Sequence, residues 1–264
     1  MNWFGDLNPI LQALIATTFT WGITLLGALM VCFFKEVNKK ALNTILGFSA
    51  GVMIAASFWS LLLPSIELSE ELGYIAWGLP ALGFILGGLF VLLSDKFLDK
   101  TLSDKNSIKK DSLKRSILLV SAITLHNIPE GMSIGVAFGG ISSGVSGMTL
   151  IGAIMLAIGI GIQNFPEGAA VSLPLRKEGF SRKKSFFIGQ ASALVEPISA
   201  VIGVILVLAV RSILPILLSF AAGAMITVAS RELLPESIFE NKNLSTLGLI
   251  SGFVLMMVLD VALG

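Results

Sequence analysis

Residues 148–173 read MTLIGAIMLAIGIGIQNFPEGAAVSL, a run whose only charge, Glu167, lies well inside it. An α-helix rises about 1.5 Å per residue, so about 20 mostly apolar residues cross the hydrocarbon core of a bilayer. This run is long enough to do so. Seven other segments of similar character occupy approximately residues 10–34, 41–63, 72–93, 116–138, 186–210, 213–234 and 244–263. The sequence therefore predicts an all-α, polytopic membrane protein of eight transmembrane helices.

Composition supports lipid as the solvent. Of 264 residues, 55% are hydrophobic and 13% charged, and the mean hydropathy is +0.89. A water-soluble chain of this size would have too few polar side chains to cover its surface. The net charge of +1 hides clusters of charge separated by long uncharged stretches, a pattern that gives no footprint for nucleic acid. Residues 1–8 contain Asp6 and no basic residue, so the first apolar segment lacks the positive start of a signal peptide and is expected to be retained. Cys32 is the single cysteine, which excludes an internal disulfide and a Cys-x-x-Cys site.

Basic residues set the expected orientation, because short loops rich in lysine and arginine stay in the cytoplasm. Lys35, Lys39 and Lys40 follow the first segment, and seven basic residues from Lys96 to Arg115 follow the third. Arg176, Lys177, Arg182, Lys183 and Lys184 follow the fifth, and Arg231 and Lys242 flank the connection after the seventh. Thus 17 of the 18 basic residues fall on one side, and the opposite loops hold only Arg211, with Glu67, Glu70 and Glu71. Both termini are expected outside the cytoplasm, across the inner (plasma) membrane. That requires an even number of spans and favours eight over seven. Residues 94–115, which include DKFLDKTLSDKNSIKKDSLKR from Asp95, form the expected cytoplasmic loop after the third span. The plain reading is a solvated linker, helical in part through Asp and Lys pairs, and it holds no histidine.

An internal echo points to the site. HNIPEG at 126–131 in the fourth span returns as QNFPEG at 163–168 in the fifth. Each places polar side chains at i, i+1 and i+4, on or beside one helix face. Adjacent spans run in opposite directions, so the two motifs are expected to face each other across a pseudo-symmetric interface. Pro129 and Pro166 remove a backbone donor and free the carbonyls of Leu125 and Ile162, which predicts a kink in each helix. Kinks for packing alone would not explain the carboxylates beside them. Glu130, Glu167 and Glu196, the last followed by Pro197, fall deep within their spans with no lysine or arginine at comparable depth. Carboxylates cost a few kcal/mol each there, and a proton or a bound cation is the natural counter-charge. His126, the only histidine, lies one turn from Glu130. Imidazole with carboxylate and amide oxygens suits a borderline divalent ion such as zinc, iron or manganese better than sodium or potassium. Small residues at Gly83 and Gly87, at Gly131, Gly135 and Gly139, at Gly159 and Gly161, and at Ala221, Ala222 and Gly223 mark expected close helix contacts.

At these motifs the chain resembles the ZIP family of divalent metal transporters, above all its prokaryotic branch, over essentially its whole length. The echoed pair and ALVEP at 193–197 carry the resemblance, supported by GVMIAASF at 51–58, AAGAM at 221–225 and LPE at 234–236. The resemblance implies eight helices in a 3+2+3 arrangement, a homodimer in the lipid bilayer, and import of zinc or a related metal such as iron, manganese or cadmium. It also implies a metal path between the fourth and fifth helices. Carried over by position, His126, Glu130, Gln163 and Glu167 form one metal position. Asn127, Asn164 and Glu196, with Glu130 and Glu167 shared, form or border a second. Family members often have histidine where this chain has Gln163 and an aspartate where it has Asn164, so the site here is less charged. Zinc or another divalent ion enters this reading as transported substrate and not as a catalytic cofactor, and the chain is not expected to be an enzyme. A metal-selective channel or facilitator without alternating access shares the same residues. An intramembrane metalloprotease would need an H-E-x-x-H pair, which a single histidine rules out. A serine protease would need the strand-to-helix turn of G-x-S-x-G, whereas the matches to that pattern at 47–51 and 131–135 lie inside expected membrane helices and the one at 140–144 follows a helix and not a strand.

Overall fold

The computed structural model describes residues 2–33, 39–102, 108–145, 148–209, 211–238 and 241–263. Among the described residues the architecture is helical throughout. Eight long elements follow one another. They are α1 (Pro9–Phe33), α2 (Lys39–Ala56, continued through Ser57–Leu62 and Leu63–Glu71), α3 (Gly78–Leu102) and α4 (Ile108–Ser142). Then come α5 (Leu150–Lys177), α6 (Arg182–Ala191, continued through Ser192–Leu194 and Val195–Ala209), α7 (Leu214–Val228, continued to Ile238) and α8 (Lys242–Val258, continued to Leu263).

Among the described residues, seven of these helices are long and apolar enough to cross a membrane; α4 is not among them, and its side chains before Val120, with those of Ala122 and His126, lie outside the described residues. It has ample length, at 35 residues. The fourth expected span is therefore a helix, Ile108–Ser142. The expected 94–115 loop is mostly helical, since α3 runs to Leu102 and α4 starts at Ile108; residues 103–107 lie outside the described residues. Neither Pro129 nor Pro166 ends its helix. Instead α4 and α5 end at Gly144 and Gly179, whose φ values of 68° and 93° suit the left-handed turn after a helix. In both cases the next N–H reaches back to close the end: Val145 N to Gly140 O at 3.1 Å, and Phe180 N to Leu175 O at 3.2 Å.

The most extensive contacts pair α1 with α5, α4 with the second part of α6, α2 with α8, and α3 with α7. Exchanging α1 with α6, α2 with α7, α3 with α8 and α4 with α5 maps this pairing onto itself. The sequence bears the same trace. Leu82-Gly83, Gly87 and Asp95 of α3 recur at one constant spacing as Leu247-Gly248, Gly252 and Asp260 of α8. Phe48, Gly51 and Met53-Ile54 of α2 recur as Phe220, Gly223 and Met225-Ile226 of α7, and both runs go on to Leu-Leu-Pro, at Pro64 and Pro235. The register slips by one residue within the widened π turns that precede these prolines, which hold six residues in α2 and five in α7. Equivalent polar contacts tie each turn to its partner helix. Ser60 donates to Asp260 at 2.6 Å, and Arg231 meets Asp95 at 3.3 Å.

Glycines set how closely the pairs approach. A Cβ on Gly87 would lie 1.9 Å from the carbonyl oxygen of Phe220, and one on Gly223 would lie 2.1 Å from that of Phe84. On α4, Gly135 would place a Cβ 2.0 Å from the Ala200 carbonyl oxygen. Backbone thus rests on backbone along these lines, as the small-residue spacing predicts. Where lipid offers little hydrophobic drive for helices to associate, such close packing supplies the attraction.

Candidate metal centre

The PEG turns are placed by the same device used twice. Gly131 lets α4 lie against the backbone of α6 at Glu196, where an added Cβ would sit 2.3 Å from its carbonyl oxygen. Gly168 lets α5 lie against α1, where a Cβ would sit 2.1 Å from the carbonyl oxygen of Thr24. On the α1 side Gly27 meets the Phe165 carbonyl oxygen at 1.8 Å from its own hypothetical Cβ. The third element, α6, tightens into a short 3₁₀ turn over Ser192–Leu194 and restarts as an α-helix at Val195. Glu196 thereby falls in the first turn of the restarted α-helix.

Six of the seven residues expected at the site are buried: Asn127, Glu130, Gln163, Asn164, Glu167 and Glu196. The side chain of His126, the seventh, lies outside the described residues. Hydrogen bonds tie the motifs together. Gln163 Nε2 donates to Glu130 Oε1 at 2.6 Å, joining α5 to α4. Asn164 Nδ2 donates to Glu196 Oε1 at 2.8 Å, joining α5 to α6. Asn127 Nδ2 donates to the Ser192 carbonyl at 3.0 Å, which fixes α4 against the 3₁₀ turn. Glu130, Glu167 and Glu196 are near enough for their charges to repel one another.

The accounting of donors and acceptors is one-sided. Each of the three amide nitrogens is spent on a protein acceptor, which orients the amide. Left without a hydrogen-bond partner among the described residues are Asn127 Oδ1, Gln163 Oε1, Asn164 Oδ1 and Glu130 Oε2, all buried and all acceptors. Buried polar groups are nearly always satisfied, so a concentration of orphaned oxygens calls for a donor or a cation. Among the described residues, no group of three or more His, Cys, Asp or Glu is placed to hold a metal by itself. The free oxygens here belong to amides as much as to carboxylates.

Two participants were not singled out from the motifs. Ser192 supplies the carbonyl that orients Asn127, and Thr20 of α1 donates its hydroxyl to Glu196 Oε2. A signal for the second exists in the sequence. Thr17, Thr20 and Thr24 recur at helical spacing in a mostly apolar span, and all three are buried. A separate cavity of about 300 Å³ lies between α2, α5 and the end of α8, lined in part by Ser60, Glu67, Thr149 and Asp260. None of the motif residues lines it.

The family model described as ZIP Zinc transporter matches residues 100–260. Zinc transporter ZIP11 of Xenopus tropicalis is 38% identical, over 97% of this chain and 98% of its own length. Zinc transporter GufA of Myxococcus xanthus is 35% identical, over 95% and 98%. Zinc transporter ZupT of Clostridium perfringens is 33% identical, over 96% of each. The similarity reaches vertebrate and bacterial proteins alike, and does not single out a prokaryotic branch.

Proposed function

This chain belongs to the ZIP family of zinc transporters, and from that premise we propose that it moves zinc toward the cytoplasm through a site held between α4 and α5. It is a polytopic membrane transporter of divalent metal and not an enzyme, and the metal is its substrate. The observation that carries the site is the set of four buried, unpartnered oxygens on Asn127, Glu130, Gln163 and Asn164. Oxygens whose sister nitrogens are already engaged accept a cation without first breaking a hydrogen bond. Glu167 lies beside Glu130 in charge contact and completes the negative side, and His126 adds the borderline ligand that favours zinc over calcium or sodium.

In this reading α4 is the eighth span, the helices are arranged 3+2+3, and the self-mapping helix pairs support that count. The family resemblance adds homodimer assembly. Purified protein in liposomes loaded with a zinc-sensitive dye is expected to give saturable zinc entry that empty liposomes lack; equal entry in both would overturn the proposal. For topology, a cysteine at Ser107 is expected to resist an impermeant thiol reagent applied to intact cells. Ready labelling from outside would reverse the assigned orientation.

Acidification is expected to weaken binding, because protons and metal compete for the same ligand atoms. Apparent zinc affinity in a non-coordinating buffer should fall as the pH is lowered from about 7.5 to about 5.5. An affinity constant over that range would remove protonation from the release step.

A further inference from the structure

We propose that Thr20 of α1 is a positioning residue for metal binding, holding Glu196 and Asn164 in the orientation that the site requires. The inference rests on the metal site proposed above and extends it to a helix that bears none of its motifs. Thr20 is fully buried and engages both neighbours at once. Its hydroxyl, which also has the Thr17 carbonyl oxygen at 3.0 Å, donates to the nearer Glu196 Oε2, and its backbone carbonyl accepts from Asn164 Nδ2 at 3.4 Å. The same Asn164 nitrogen donates to Glu196 Oε1. Thr20, Asn164 and Glu196 therefore close a ring across α1, α5 and α6, and each oxygen of Glu196 receives one donor.

The three carboxylates differ in consequence. Glu130 has one oxygen bonded to Gln163 and one orphaned. Glu167 has no hydrogen bond to its side chain among the described residues. Glu196 alone is held at both ends, so its plane is fixed and its remaining lone pairs are aimed by the ring. A carboxylate oxygen has two lone pairs, and accepting from Thr20 leaves one for a cation. The ring also explains the orientation of Asn164. With Nδ2 shared between Glu196 and the Thr20 carbonyl, Oδ1 is turned away and left unpartnered. Backbone contact keeps α1 in place for this task, since Gly27 and Gly168 press α1 and α5 together within two turns of Thr20.

Groups that orient a metal's ligands contribute about 10–100-fold to affinity or activity. Thr20→Val keeps the shape of the side chain and removes only the hydroxyl, so its zinc dissociation constant is expected to rise by about 10–100-fold. Thr20→Ser, which keeps the hydroxyl, should recover most of that loss. Competition against a chelating dye on purified detergent-solubilised protein gives the constants for wild type, T20V, T20S, E196Q and T20V/E196Q. A residue acting through Glu196 should add little once Glu196 has been changed, so the double variant should bind about as weakly as E196Q alone. Equal affinity of T20V and wild type would overturn the proposal, as would losses that add in full in the double variant. If T20V does not fold, as judged by size-exclusion chromatography, T20S decides, since failure of the serine to support near-wild-type binding would remove the hydroxyl from the argument. Absence of zinc binding by wild type, or binding untouched by E130Q, would instead bring down the metal site itself.

Discussion

Replacing Glu130 by glutamine is expected to abolish zinc flux in reconstituted vesicles, by more than about 100-fold, since even the groups behind a metal ligand contribute about 10–100-fold. Glu130 is fully buried, bonded through Oε1 to Gln163 and unpartnered at Oε2. It lies near enough to Glu167 and Glu196 for their charges to repel. Glutamine has nearly the same shape but no charge, and its added N–H groups would face the amide nitrogen of Gln163 or the ion itself. The fold should survive. With no metal bound, three carboxylates close together in a poorly solvated interior repel one another, and removing one charge relieves that repulsion. The melting temperature of E130Q in metal-free detergent solution is accordingly expected to match or exceed that of wild type. Near-normal uptake of labelled zinc by a well-folded E130Q would remove Glu130 from the transport step.

Gly27→Ala is expected to be the most damaging of the conservative changes, although it adds only one methyl group. That methyl would lie 1.8 Å from the carbonyl oxygen of Phe165 and 2.8 Å from its carbonyl carbon. These are backbone atoms of α5, so no side chain can rotate away, and α1 and α5 must separate. Overpacking of this kind costs about 1–3 kcal/mol where the surroundings yield, and more where they do not. Phe165 lies between Asn164 and Pro166, so separating the helices also pulls at the Thr20 contacts and the metal site. A matched control lies in the same helix. A Cβ on Gly22 would meet nothing within 4 Å, and Gly22→Ala should be neutral or stabilising by up to about 1 kcal/mol. Thermal melting of both variants by size-exclusion chromatography tests the pair. Similar melting temperatures for G27A and G22A would contradict the close α1–α5 contact.

Much of the candidate site was legible because its cost is visible in one dimension. A carboxylate in a run such as 148–173 is expensive wherever the helix goes, so Glu130, Glu167 and Glu196 declare themselves before any packing is known. The echo of HNIPEG and QNFPEG then implies that two of them face each other, and the Gln163–Glu130 bond joins the motifs directly. Thr20 was harder to find. A threonine within an apolar helix can bond to its own helix backbone, as Thr17 does to Ala13 O at 2.7 Å, and carries no such cost. The echo between α2–α3 and α7–α8 was harder still. It lies in scattered glycines, apolar residues and two aspartates, and a one-residue slip inside a π turn breaks its register.

The sequence by itself determined the solvent, the helical class, the approximate spans and the carboxylates whose burial calls for a counter-charge. Hydrophobic length and the cost of buried charge act along the chain and do not depend on which helices meet. Tertiary structure alone decided that α1 closes the site, that Glu196 is held at both oxygens while Glu130 keeps one free, and that the amide oxygens are the atoms left over. It also decided that α4 packs against α6. Those outcomes depend on which backbones come within a glycine's reach of each other, a property of pairs of helices that no single segment contains.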